Sequence, residues 1–336
     1  MSRERKRAPA WQILQQANTG QRDITARFNE RLISLRITDK DGIEADELEL
    51  VLDDHDGQLD IPATGALLVI RIGWEGSPLV GKGQFSIDEM DYRGTPDRLT
   101  IRGRGAPVSA TLNRKKTRSW HGLTVGQIAA TIAAEHGLAQ AVSPGLASVS
   151  IPHIDQTDET DLNLLTRIAG DIGAAFSLKE NRLVMIPAGE GETATGKVMP
   201  EAIIPRFDCG TYDWSTQDRS LYTGVEAAWH DTEAAERRTV LVGTDEQVKT
   251  LRRTFADQAS AQRAADAELK KLLRGEGKLN LTLSDGNPEI GPEWHVRVTG
   301  LKQVIDNTPW IVKEATHTIN SSGYSTALQM ETHHRE

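Results

Sequence analysis

In this chain of 336 residues, the stretch Gly76-Ser-Pro-Leu-Val-Gly81-Lys82-Gly83 comes nearest to a motif that does chemistry. A P-loop uses such glycines and a lysine to cradle phosphates at the start of a helix. Here Gly83 stands where a serine or threonine must hold magnesium. Pro78 and the strand-like Gln84-Phe-Ser-Ile-Asp88 leave no helix to open, so the stretch reads as a β-turn. Asp54, Asp56 and Gly57 suggest a calcium loop. In EF-hand register the first ligand would be Leu52 and the last Ala63, so that match fails and the segment reads as a solvated turn, with other metal geometries left open. Nine histidines invite metal binding. No His-Glu-x-x-His pair occurs, His333 and His334 stand in the terminal tail, and the others are scattered. His317, inside a strand pattern, reads as a hydrogen-bonded structural residue. Cys209 is the only cysteine, which excludes an internal disulfide and a cysteine-based zinc site and fits a reducing cytoplasm. No Gly-x-Ser-x-Gly elbow is present, Cys209 has no activating partner in sequence, and no carboxylate pair is singled out. No catalytic, cofactor-binding or metal residue is assigned.

The composition agrees. Net charge is −9 with a sequence pI of about 5.6, which argues against a dedicated DNA or RNA binder but allows a negatively lined channel. At 38% hydrophobic and 26% charged, the chain can fill real cores, and its length suggests two or three domains. No apolar run reaches membrane-spanning length. Arg3, Arg5, Lys6 and Arg7 lack the apolar stretch of a secretory signal, and residues 1–22 are expected to form a flexible or partner-ordered arm.

The elements that would position any site fall into three regions. From 24 to 101 the pattern is β: Leu48, Leu50 and Leu52 alternate with polar neighbours, 67–72 is a continuous apolar run, and turn clusters at 39–42, 53–57, 73–78 and 93–97 divide the strands. A small barrel or sandwich is expected. From about 116 to 195 the period changes. Thr124 and Gln127 form a capping box before the stripe Val125, Ile128, Ala129, Ile132 and Ala133, and Gly137 ends that helix. A second amphipathic helix lies within 156–173. Acidic residues crowd its start, Thr160 or Asp158 caps it, Leu162, Leu165, Ile168, Ala169 and Ile172 share one face, and Gly173 closes it. A hairpin of strands 176–178 and 183–186 follows, then a linker at 189–196. Strands return over 200–242. Residues 244–273 read as a helix capped by Thr244 and Gln247 and anchored by Ala264, Ala265, Leu269, Leu272 and Leu273, with Gly275 and Gly277 as its stop. Alternation resumes at Leu279, Leu281 and Leu283, at Trp294, Val296 and Val298, over 310–312, and at Thr326, Leu328 and Met330. The seven tryptophans read mostly as core or rim packing, with Trp11 the best interface candidate.

The wording of 156–173, Gln-Thr-Asp-Glu-Thr-Asp-Leu-Asn-Leu-Leu-Thr-Arg-Ile-Ala-Gly-Asp-Ile-Gly, resembles the signature helix of the bacteriophage late-control protein D family, the central hub of contractile-tail baseplates. Further segments extend the resemblance in the same order, from about Ile24 to Met330: 32–39, 46–50, 59–62 with Gly65, 83–88, Thr117-Arg-Ser-Trp120, 310–317 and 323–326. The resemblance implies an α+β, mainly β fold of two tail-tube-like antiparallel β-barrels with an intervening α/β module. The domains are then an arm over 1–22, a first barrel over 23–115, an α/β insertion over 116–195, and a second barrel over 196–336. That second barrel is read as discontinuous, with the helix at 244–275 packing on the insertion. The implied role is a homotrimeric ring adapting a hexameric tail tube to a trimeric central spike. Implied partners are the spike, the tail tube or tube-initiator protein, baseplate wedge proteins and the tape measure protein, with no specific nucleic-acid binding and no membrane segment. The location would be the baseplate of a phage tail or of a headless tail particle such as a tailocin, assembled in the bacterial host cytoplasm. Residues 123–138 are also similar to the start of a LysM module, which keeps peptidoglycan binding as the alternative.

Overall fold

The computed structural model describes residues 7–17, 20–105, 110–179, 181–216, 222–231, 234–274 and 277–333. Arg3, Arg5, Lys6, Gly275 and His334 lie outside the described residues. The first region supplies β1 (Pro9–Ala17), β2 (Gly20–Asp23), β3 (Leu32–Lys40), β4 (Glu47–Asp53), β5 (Leu67–Trp74), β6 (Val80–Arg93) and β7 (Arg98–Gly105). The middle region supplies β8 (Lys115–Thr124), α1 (Val125–Glu135), β9 (Ala139–Val142), α2 (Pro144–Ala147), β10 (Ser150–Thr160), α3 (Asp161–Asp171), β11 (Ala174–Lys179) and β12 (Arg182–Pro187). The last region supplies β13 (Ala202–Pro205), β14 (Cys209–Thr216), β15 (Gly224–Asp231), β16 (Glu236–Gly243), β17 (Val248–Phe255), α4 (Gln258–Leu273), β18 (Gly277–Leu283), β19 (His295–Thr299), α5 (Gln303–Asp306), β20 (Trp310–Asn320) and β21 (Gly323–Thr332).

The fold is α+β and mainly β, with large antiparallel sheets. The two outer β regions share one 13-stranded sheet, ordered β14-β18-β21-β20-β3-β4-β7-β6-β5-β1-β2, with β19 beside β20 and β13 parallel to β19. The joint is the antiparallel pair β3–β20, where Ile319 faces Leu35 and His317 faces Ile37. Alternation gives each region its own core. Ile37, Leu50, Ile70, Phe85 and Ile101 fill the first, which Ile319 and Tyr324 also enter; Leu279, Leu281, Val298, Trp310 and Leu328 fill the second. Each such side chain contributes about 1.5–3 kcal/mol by leaving water. The strand β20 therefore serves both cores, one through each half of its length.

The middle region folds on its own core of Ile128, Ile132, Leu164, Leu165, Ile168, Leu183 and Met185. At α1 the capping box is complete: Gln127 N donates to Thr124 Oγ1 at 3.3 Å and Thr124 N donates to Gln127 Oε1 at 2.8 Å. At α3 the cap is Thr160, whose Oγ1 accepts from Asn163 N at 3.1 Å. Of the two cap candidates, Thr160 is used and Asp158 is not, because β10 runs through to Thr160 as the partner of β8. Gly173 closes the helix with φ +66°. The apolar stripe of α1, within the LysM-like 123–138, is buried in this core.

Two expectations are corrected. The supposed flexible arm contains β1, which pairs with β5 from Pro9 opposite Trp74 to Gln15 opposite Leu68. Ile13 is fully buried there, and Trp11 packs half-buried on the first core instead of standing on a free arm. The expected helix over 244–273 begins only after Asp257, whose carboxylate accepts from Ser260 N at 2.7 Å. Residues 248–255 form β17, parallel to β15, and Thr244 Oγ1 donates to Thr223 Oγ1 at 2.6 Å. Val248, Thr250, Thr254 and Phe255 suit a pleated surface, and pairing to β15 overrides a helical start. Ala261, Ala264 and Ala265 then seat α4 on Val225, Ala227 and Phe255. Its other side meets the middle region, where Arg263 Nη2 donates to Ser150 O at 3.4 Å and Arg253, on β17, pairs with Asp171 of α3.

Candidate functional site

The P-loop-like segment is a turn between β5 and β6, with Ser77 N donating to Trp74 O at 3.1 Å and Gly76 at φ +79°. Its lysine has a structural use. Lys82 is buried on β6 and donates to Asp39 Oδ2 at 2.9 Å, so no free cation faces a phosphate. His317 Nε2 lies 3.6 Å from the same oxygen, and its Nδ1 bonds Thr326 Oγ1 at 3.0 Å and Tyr324 Oη at 2.9 Å. Burial alone would raise the Asp39 carboxyl, but the neighbouring His317 ring and the charge and hydrogen bond of Lys82 hold it at about 2. Burial lowers Lys82 and His317. This cluster ties β3, β6, β20 and β21 together at the joint of the two β regions.

The Asp54–Gly57 turn is less solvated than its composition suggests. Asp54 is buried and accepts from Leu59 N at 2.9 Å, while Arg31 grips both oxygens of Asp56 at 2.7 and 2.5 Å. That hydrogen-bonded pair lowers the Asp56 carboxyl. Arg31 supplies the positive charge that a calcium ion would.

The densest polar cluster lies in the middle region. Donor atoms of Glu135, His136 and Asp161 fall within 4.8 Å of one another, a spacing that could suit a metal. The surrounding charges do not fit one. Lys116 Nζ donates to Asp161 Oδ2 at 2.6 Å, Arg118 Nη2 to Asp161 Oδ1 at 2.7 Å, and both cations also bind Glu135. Gln156 Nε2 donates to Asp161 Oδ1 and His136 Nε2 meets Asp161 Oδ2, each at 2.8 Å. Burial would raise the Asp161 carboxyl, but hydrogen bonds from Lys116, Gln156 and His136 and the Arg118 charge bring it to about 2. The cluster is an ionic clamp on β8, α1, β10 and α3.

A cleft of about 1220 Å³ opens where this region, α4 and the second β region come together. At its wall Glu293 is buried and accepts from Gly189 N at 2.6 Å, while His295 Nε2 meets Gly189 O at 2.8 Å. Burial, reinforced by the charge of Asp41, pushes the Glu293 carboxyl up to about 7. These contacts fasten the linker onto the second β region.

The open surface is the remaining feature. The strands β14 and β2 end the sheet order. Just before β14, Phe207 is 84% exposed, and the Arg206 guanidinium lies 4.7 Å over the Tyr212 ring; on β13, which ends the branch through β19, Ile203 is 57% exposed. Sequence reading did not single out these residues, nor the cross-strand pair His121 and His153 on β8 and β10. Most tryptophans do pack inward: Trp310 is buried with Nε1 donating to Ile305 O, and Trp74 Nε1 donates to Gly286 O.

A mainly β chain with open sheet ends and its ionisable clusters spent on internal clamps has the character of an assembly part. The sequence model of the phage tail baseplate hub (GPD) family matches residues 47–323. The chain belongs to that family. The hub is 36% identical over 365 residues to the probable baseplate hub protein of Escherichia phage 186, covering 96% of this chain and 93% of the relative. Among solved structures it is similar to a tail protein from Neisseria meningitidis MC58, with a TM-score of 0.68, 15% identity and 96% of each chain covered. A component of the Escherichia coli type VI secretion system aligns with a TM-score of 0.56 and 11% identity, covering 91% of the hub and 74% of that chain. The hub is thus a structural component of a phage tail baseplate, and its fold recurs in a component of a type VI secretion system.

Proposed function

We propose that three copies of this hub close into a ring that adapts a hexameric tail tube to a trimeric central spike. The observation that carries this reading is that one chain holds two β cores on one continuous sheet. Three chains then offer six β units to a six-fold tube while keeping three-fold symmetry toward a spike. The ends of the sheet support head-to-tail association, because a heterologous contact that closes makes a ring and unpaired strand edges invite further strands. Phe207, just before β14, and Ile203, on the outer strand β13, give these two sheet ends the exposed apolar character of an interface.

The partners of this ring are the spike, the tail tube or tube-initiator protein, wedge proteins and the tape measure protein. Its role is architectural and non-catalytic, in a virion tail or a headless tail particle, after assembly in the host cytoplasm. The comparisons lend no support to the peptidoglycan-binding alternative. Co-expression with an affinity-tagged spike tests the proposal. The wild-type hub should be captured with the spike, and Phe207→Asp should weaken ring formation while the isolated chain keeps its melting temperature. Failure of the wild-type hub to associate with the spike would refute the adapter role.

A further inference from the structure

The geometry points to a surface cation site outside the clamps already described. His121 on β8 and His153 on β10 are directly opposed in the antiparallel register, as are their neighbours Ser119 and Asp155. The two imidazoles stack with centroids 4.6 Å apart, and their Nδ1 atoms are 3.0 Å apart. Two imidazole nitrogens bound to one cation at about 2.0–2.1 Å, at adjacent tetrahedral or square positions, stand about 2.9–3.4 Å from each other. The observed spacing falls in that range.

The second ring nitrogen of His153 is also arranged for binding. Nε2 lies 3.2 Å from Asp155 Oδ2, and Asp155 Oδ1 accepts from Ser119 Oγ at 2.5 Å. A carboxylate that takes the Nε2–H fixes the tautomer in which Nδ1 carries the free lone pair, as outer carboxylates do for metal-binding histidines. Without a cation, His121 Nδ1–H donates to that lone pair. A neutral His121 that moves its proton to Nε2 and turns its ring about the Cβ–Cγ bond brings both Nδ1 lone pairs onto one ion. The surroundings differ from those of Asp161: among the described residues, no lysine or arginine makes a hydrogen bond or ion pair with either ring. The side chain of His153 is 44% exposed, so an ion can reach it from solvent.

We propose that His121 and His153 form a two-nitrogen site for a divalent d-block cation such as Zn2+ or Cu2+, with Asp155 as the positioning residue. Imidazole donors select this class over magnesium or calcium, and Cu2+ binds more tightly than Zn2+. Two protein nitrogens leave the other coordination positions to water or to a donor from a neighbouring baseplate protein. The ion would staple β8 to β10 at the foot of α1.

Isothermal titration of the full chain with ZnCl2 and with CuCl2 tests this, with circular dichroism to verify the fold of each variant. The wild type should bind one equivalent more than His121→Ala or His153→Ala. Asp155→Asn should keep that equivalent and weaken it about 10–100-fold. Identical isotherms for the wild type and His121→Ala would overturn the site. Unchanged affinity in Asp155→Asn would overturn the positioning role.

Discussion

Replacing Asp161 by asparagine isolates the ionic clamp of the middle region. The Asp161 carboxyl is held at about 2 against an ordinary value of 3.8. That lowering, at about 1.4 kcal/mol per unit, corresponds to about 2 kcal/mol of stability at neutral pH. Asparagine also leaves Lys116 and Arg118 without their buried counter-charge. Both still bind Glu135 and their side chains are 25% exposed, so the added cost stays below the 3–5 kcal/mol of a fully buried broken pair. The expected total is about 3 kcal/mol. Hydrogen exchange of α1 and α3 amides reads this directly, because it reports opening of the region without requiring the whole chain to unfold in one step. Opening should be about 100-fold more frequent in the variant at pH 7, since each 1.4 kcal/mol is about tenfold. The sign with pH follows from a lowered carboxylate. Its contribution is full above the ordinary value, is reduced to about half near pH 3, and is nearly gone at pH 2. Less than a threefold difference at pH 7, or a gap that does not shrink on acidification, would refute the clamp.

The other substitutions probe different parts of the fold. Leu165 is 1% exposed, and Leu165→Asp should destabilise the middle region by more than the 2–5 kcal/mol of a buried leucine truncation, seen as a large fall in melting temperature; an unchanged melt would contradict the packing. Lys82→Ala should cost about 3–5 kcal/mol in thermal or urea unfolding by stranding Asp39, whereas Asp39→Asn combined with Lys82→Met should cost less than Lys82→Ala alone. Glu293, pushed up to about 7 from 4.5, favours its protonated form when folded. Its contribution is therefore full below about pH 4.5 and is lost as pH rises through 7, by about 3 kcal/mol in all. Glu293→Gln keeps an acceptor for Gly189 N–H, so urea unfolding should show that variant more stable at pH 8 and with a flatter profile between pH 4.5 and 7. An equal slope in both proteins would remove Glu293 as the cause.

The parts legible in the sequence are those fixed by near neighbours. Leu48, Leu50 and Leu52 alternate because one face of β4 is buried, and Thr124 with Gln127 caps α1 through bonds spanning three residues. The family resemblance rests on such local runs, and it supplied the functional reading that composition and periodicity could not. What escaped depends on distant partners. β1 mixes Trp11, Ile13 and Leu14 with three glutamines in no clean alternation, and its place is set by β5 more than fifty residues on. β17 carries enough charge to pass for a helix start, and only pairing with β15 settles it. Lys82 was visible as a lysine in a glycine-rich stretch, but its use depends on Asp39 across the sheet. His121 and His153 meet only through the β8–β10 register, and nothing in their sequence spacing announces the pair. The joining of both β regions through β3 and β20 was equally hidden, since the two strands come from opposite ends of the chain.

The central claim is that the hub closes into a three-fold ring that receives a spike. Light scattering of the purified chain, alone and mixed with its spike, tests it most directly. The account predicts a species of three times the 36.9 kDa chain mass, either alone or once the spike is present with its own three chains. A monomer under both conditions would contradict it.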